Sequence, residues 1–227
     1  MSSRMPDGRS SRVREPLRPK LGASLTSAEG SALDMVDDGL YRALEYKGAD
    51  LSFRDAGAVE FEGCRFVETT FSGTRMRRGG FSDVELQRCD LSNMAATSST
   101  MLRTRVSAGR LTGMTWPECA FRDVLVEDCR ADLAAFRFST FKNTVFRDCT
   151  MLEANFQNAD LTGTRFERCD LSGAQFSGAR MAGARFADCV LLGIGGVTSL
   201  AGVTVRSRDA QGLLHSLAGA LGITIED

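Results

Sequence analysis

Between Leu51 and Leu191 every fifth residue is apolar, without a break over 29 positions: twelve Phe, seven Leu, four Met, three Ala, two Val and Trp116. Neither a helix nor a straight strand has that period. Steps of five advance about 140° around a helix and scatter the apolar side chains over its whole surface. Five is also odd, so along a strand successive centres point to opposite faces. The chain must therefore turn once per repeat. The residue two after each centre suits a turn: of 29, eight are Gly and eight are Asn or Asp, which tolerate positive φ. A short extended segment that turns and repeats, always with its large residue inward, is a solenoid.

A second register lies two residues before each centre and holds small residues, as in Ala154, Ala159, Thr164, Cys169 and Ala174. Residues two apart share a face of an extended segment, so each repeat turns one small and one large residue inward. All seven cysteines (Cys64, Cys89, Cys119, Cys129, Cys149, Cys169 and Cys189) fall in this register. Their number is odd and no CxxC pair occurs, so they read as reduced, buried packing residues. The pattern weakens where centres shrink to Ala96 and Ala131, and where Met94, Met114 or Arg54 takes the place of a small inward residue. Only Phe53 and Phe138, of fourteen Phe, lie outside the register of centres; Tyr41 and Tyr46 extend it toward the N-terminus.

The runs Ala159-Asp160-Leu161-Thr162-Gly163 and Cys169-Asp170-Leu171-Ser172-Gly173 resemble the A(D/N)LxG signature of pentapeptide-repeat proteins, and the resemblance spans roughly residues 41 to 205. It implies an all-β fold, a right-handed quadrilateral β-helix with one pentapeptide per side and about twenty residues per coil. Seven or so coils at about 4.8 Å each give a rod roughly 35 Å long. At that period Cys129, Cys149, Cys169 and Cys189 stack in one ladder, Phe136, Phe156 and Phe176 in a second, and Phe146, Phe166 and Phe186 in a third.

Both ends need covering. Residues 1–30 carry three of the four prolines and a basic excess, which reads as a disordered basic tail. Residues 31–46 are ambiguous between a short helix and the solenoid's first edge; a cap followed by a first strand at about Leu40 is expected. The repeat region proper is placed at 47–205. Residues 206–227 are expected to form a helix from Ser207 or Arg208 to Leu221, stopped by Gly222, and a short strand Ile223 to Ile225. Leu213, Leu214, Leu217 and Leu221, with Ile223 and Ile225, form an apolar face. That face either seals the last coil or, as C-terminal segments do in resembling family members, makes a homodimer.

The 28 basic and 29 acidic residues cancel, so bulk charge does not point to nucleic acid. No stretch is apolar enough to span a membrane and the N-terminus lacks a signal-peptide core, which predicts a cytoplasmic protein. The only histidine is His215, no phosphate-binding glycine loop occurs, and recurring carboxylates such as Asp160 follow from the repeat itself. The expectation is a non-enzymatic protein without cofactor or metal, acting as a rigid protein-interaction scaffold. Outward Leu133, Leu152 and Leu192 and the basic cluster Arg75, Arg77 and Arg78 are its candidate contact residues.

The resemblance also implies an alternative, since some family members mimic B-form DNA, bind type II topoisomerases such as gyrase, and protect them from quinolones or toxins. Mimicry needs an acidic stripe. Sorted by the twenty-residue period, the outward residues give sides of net charge −3, +2, −1 and 0, and no side resembles a duplex. Direct DNA binding is weaker still, with too few basic residues in one place.

Overall fold

All 29 residues two positions after a centre have φ between 46° and 73°. This is the left-handed region, which glycine enters freely and other residues enter at about 1–2 kcal/mol. Many of these corners are neither Gly, Asn nor Asp, and the main chain of the next coil holds them in place. Phe53 N–H donates to Ser72 O at 2.9 Å, and Leu133 N–H to Leu152 O at 2.8 Å.

With a left-handed corner every fifth residue, the chain passes through four sides and returns above itself after twenty. In a computed structural model, which describes residues 14–225, the protein is a parallel β-solenoid of about nine turns with a short C-terminal helical segment. Pairing runs in twenty-residue register, as in Met101↔Phe121↔Phe141 and Val106↔Val126↔Phe146. The register slips at the ends, where Arg185 pairs Thr204 and Thr26 pairs Leu44. Thr100–Ser107, Ala120–Glu127 and Thr140–Arg147 each run across two sides, bending at Arg103, Asp123 and Asn143. Strands before Leu51 and after Leu191 add turns to the seven or so expected, for a rod of about 43 Å.

Every centre is buried. Phe136, Phe156 and Phe176 stack at 5.2 and 5.4 Å between ring centroids, and Phe146, Phe166 and Phe186 at 5.2 and 5.1 Å. Rings on neighbouring sides meet edge to face, as Phe156 and Phe166 do at 81°. Each such pair adds about 0.5–1.5 kcal/mol beyond its buried area.

The small register does more than pack. Cys129 Sγ donates to Glu127 O at 3.1 Å and Cys149 Sγ to Arg147 O at 3.2 Å, while the Thr74 and Ser139 hydroxyls donate to Leu51 O and Trp116 O at 2.6 and 2.7 Å. A small side chain with a donor fits there, so Cys, Thr and Ser all occur in this register. All seven cysteines are free and buried. Burial pushes the Cys89 and Cys119 thiols up to about 11, which keeps them protonated.

Three expectations need correction. Arg54 does not enter the core; its side chain is exposed, because water solvates a guanidinium better than an apolar interior does. The strand expected at Ile223 to Ile225 is absent; these residues are exposed, irregular and paired with no strand. From Arg14 onward the expected disordered tail is ordered. Pro16 and Pro19 hold it extended, and it lies along the rod until Thr26–Ser27 pairs with Leu44–Lys47. The remainder of that tail, residues 1–13, lies outside the described residues. Between the tail and the first coil, Gly30–Leu33 forms a 3-10 turn, where Ala32 O accepts from buried Tyr46 Oη at 3.2 Å.

The C-terminal helix is two short pieces, Ser207–Ala210 and Leu214–Ala220, joined by a 3-10 turn at Gln211–Leu213. The tightening follows from close packing: a Cβ at Gly212 would lie 3.3 Å from the Leu191 backbone. Gly222, at φ 72°, ends the helix, with Ile223 N–H donating to Ala218 O at 2.8 Å. Buried Asp209 stands twenty residues after Cys189, at the next rung of the cysteine ladder. Its carboxylate accepts the Cys189 N–H at 3.1 Å, satisfying a main-chain donor that the ladder leaves open.

Candidate interaction surface

The walls neutralise themselves from coil to coil. Charges twenty residues apart stand one rung apart, so Arg42 meets Glu62 at 2.7 Å, Arg88 meets Glu68 at 2.9 Å and Arg168 meets Asp148 at 2.6 Å. Exposed pairs like these add about 0–1 kcal/mol each, but they cancel the local field. Arg77 of the basic cluster pairs with Asp55 at 2.5 Å, while Arg75 and Arg78 stay exposed and Arg78 occupies a left-handed corner. The cluster lies on the side next to that of Leu133 and three coils away, so the structure does not join it to the leucines.

Leu133 and Leu152 sit on adjacent coils of one side, and Leu192 lies two coils beyond Leu152 with Ser172 between. Val190 is exposed beside Leu192, and Phe53 and Phe138 project from left-handed corners. Phe53 lies over Gly73, where a Cβ would meet its ring at 2.7 Å. The period alone showed that these two aromatics point outward; that Val190 joins the leucines was missed.

A run of exposed apolar residues lies at the C-terminus. Leu213 and Ala218 are buried against the last coil, whereas Leu214, Leu217 and Leu221 are 57%, 43% and 76% exposed, followed by exposed Ile223 and Ile225. Their spacing puts the three leucines on one helix face. The expected single apolar face is thus two faces, one covering the solenoid and one bare. His215 is on the same helix, and Cys189, Asp209 and His215 line one shallow cleft. The Cys189 thiol is buried and donates to Phe166 O at 3.3 Å. Among the described residues no group of three or more His, Cys, Asp or Glu is placed to hold a metal.

The remaining wall feature is the ordered segment 14–20, which sequence reasoning missed. It crosses the wall at Leu125, and its Glu15 reaches Asn143 and Arg147 on either side of Val145; Leu125 and Val145 are outward positions that are nonetheless 3% and 0% exposed. Pro16, Leu17, Arg18 and Pro19 lie against Leu125, Thr104 and Arg105. Glu15 bridges Arg147 and Arg165 at 3.1 and 3.0 Å. Partial burial opposes its charge, but the hydrogen bonds and charges of the two arginines outweigh that and hold its carboxyl below the ordinary value. The signal for this contact was present: two apolar outward residues twenty apart on an otherwise charged side.

Family models for the pentapeptide repeat region and for pentapeptide repeats match residues 108–176 and residues 57–93 and 169–193, respectively. The chain is a pentapeptide-repeat protein. Solved structures similar to it include a trypsin-treated variant of QnrB1, a plasmid-mediated fluoroquinolone resistance protein. That likeness has 21% identity, covers 84% of this chain and 89% of that one, and has a TM-score of 0.37. HetL, involved in heterocyst differentiation regulation in the cyanobacterium Nostoc sp. strain PCC 7120, is 16% identical over 70% of this chain and 89% of its own, with a TM-score of 0.32. No curated protein matches the chain. The pentapeptide-repeat family is generally structural or a scaffold for interactions, and no helix among the described residues of this member is long and apolar enough to cross a membrane.

Proposed function

We propose that this pentapeptide-repeat protein is a non-enzymatic, rigid interaction scaffold that self-associates through its C-terminal helix. The observation that carries the reading is the bare face of Leu214, Leu217 and Leu221, continued by Ile223 and Ile225, on a helix whose opposite face already seals the solenoid. Capping explains Leu213 and Ala218 and leaves the outer leucines without a structural role. Contiguous exposed apolar surface of this kind marks contact sites, and a helix face meeting its own copy about a two-fold axis is the simplest closed arrangement. Light scattering after size exclusion tests this: the expected mass is that of a dimer, and Leu217→Asp is expected to give a monomer with an unchanged β spectrum. A wild-type monomer at tens of micromolar would remove the self-association.

Modulation of a type II topoisomerase is the alternative use of such a rod. The rung-to-rung ion pairs speak against it, because they leave no side with the continuous acidity of a duplex. A gyrase supercoiling assay with and without a quinolone separates the two. Inhibition or drug protection that is lost in Leu217→Asp would favour the topoisomerase reading over the scaffold with another partner.

A further inference from the structure

We infer that the wall groove beneath residues 14–20 is a site for an extended peptide, that the strap is its built-in occupant, and that a partner segment of acidic–Pro–apolar sequence displaces it. The groove has three parts, which meet the Glu15 carboxylate, the half-buried Pro16 ring with the 42% exposed Leu17 side chain, and the main chain of residues 14–20. Its floor is apolar, made by Leu125 and Val145. Its anion end is the pair Arg147 and Arg165, which hold Glu167 of the wall at 2.8 and 3.0 Å and take the Glu15 carboxylate with their remaining nitrogens. Its rail is a row of polar side chains facing the strap's main chain. Asp123 Oδ1 accepts from Leu17 N–H at 3.3 Å and Asp83 Oδ1 from Lys20 N–H at 2.9 Å, while Arg165 donates to Arg14 O at 3.2 Å.

The way the strap is held distinguishes a ligand from a strand. From Thr26 onward the chain joins the main-chain ladder, with Thr26 N–H on Ala43 O at 2.9 Å. Before it, the polar contacts of residues 14–20 with the rod are made by side chains of the wall. Side-chain recognition of an extended backbone, an apolar floor and a charge fork at one end is how peptide grooves achieve selectivity. The two prolines reduce the ordering cost for any segment that shares them. Leu21 to Ser24, containing Gly22 and no regular strand, connects strap to ladder and lets one part leave while the other stays.

This deepens the scaffold reading and rests on it, but it concerns a different wall, so the two fail separately. The test uses a fluorescent peptide with the sequence of residues 14–21, titrated onto the full chain and onto the full chain carrying Glu15→Lys, whose strap meets two arginines with the wrong charge. The variant is expected to bind at least about tenfold more tightly than the wild type, because its groove is free. A peptide carrying Lys in place of the acidic residue is expected to lose at least about tenfold on the same variant. Unchanged emission from buried Trp116 reports an intact rod. In the wild-type chain, excess unlabelled peptide is expected to speed amide exchange at Leu17 and Lys20 and leave Thr26 unchanged. Equal binding to both chains, equal binding of both peptides, or no change in exchange overturns the proposal. A concentration-dependent dimer that Glu15→Lys abolishes overturns it differently, by making a second copy's strap the occupant.

Discussion

Two walls of this rod carry outward apolar residues, and they have opposite fates. Leu125 and Val145 stand one rung apart and are sealed beneath residues 14–20, whereas Leu133 and Leu152, also on adjacent rungs, are bare. Locally the pairs are alike: each interrupts a charged wall, and each lies in repeats whose centres are buried. What differs is whether a distant part of the chain passes over them. An outward apolar residue in a repeat therefore marks a contact, but whether that contact is internal or external depends on chain path.

The sharpest way to break the comparison is to charge each pair. Val145→Lys puts an ammonium under the strap one rung from Arg165 and is expected to cost about 3 kcal/mol or more, read as a lowered urea midpoint, with faster amide exchange at Leu17. A loss below about 1 kcal/mol would mean the strap does not seal the wall. Leu133→Gly is the next largest change and has the opposite sign. It relieves a left-handed corner occupied by a bulky residue and is expected to stabilise by about 0.5–1 kcal/mol, measured by the same titration. Destabilisation there would show Leu133 to be packed rather than bare.

Acid distinguishes the walls more mildly. Glu15 has a lowered folded-state carboxyl pKa, so its hold on the strap is complete above the ordinary glutamate range and is lost as pH falls through the lowered value. The protection of the Leu17 amide, taken as its exchange rate relative to the intrinsic rate at each pH, is expected to fall on acidification and to change little with pH in Glu15→Gln. An identical pH response in that variant would assign the release to other groups. The smallest expected effect is Leu152→Asp, within about 0.5 kcal/mol of wild type, because the side chain is already in water.

The two ends of the rod repeat the lesson. At the C-terminus the heptad-like spacing of Leu213, Leu214, Leu217 and Leu221 was readable as an apolar face. Its division into a buried and a bare half was not, because that depends on the angle at which Gly212 lets the helix settle on Leu191. The 3-10 turn at Gln211–Leu213 rotates the second half relative to the first, a local detail no periodicity encodes. At the N-terminus, basic composition and prolines suggested disorder. Pro16 and Pro19 instead preorganise an extended segment that needs a matching wall, and that wall is built from residues 63 to 151 positions away.

The sequence by itself determined the solenoid, because an unbroken period of five with turn-forming corners and inward Phe, Leu and Met requires a chain that turns once per repeat, and the resemblance to pentapeptide-repeat proteins supplied the closure after four repeats. It also determined the ladders, since a fixed twenty-residue coil makes Cys129, Cys149, Cys169 and Cys189 neighbours wherever the rod forms. Only the tertiary structure decided the non-repeating contacts: Glu15 between Arg147 and Arg165, Asp209 on the Cys189 amide, and the outward turn of Leu217. The physical reason is that the repeat specifies each residue relative to its own coil through short-range geometry. The path of a flanking segment is instead set by a sum of weak, long-range matches with no period to announce them.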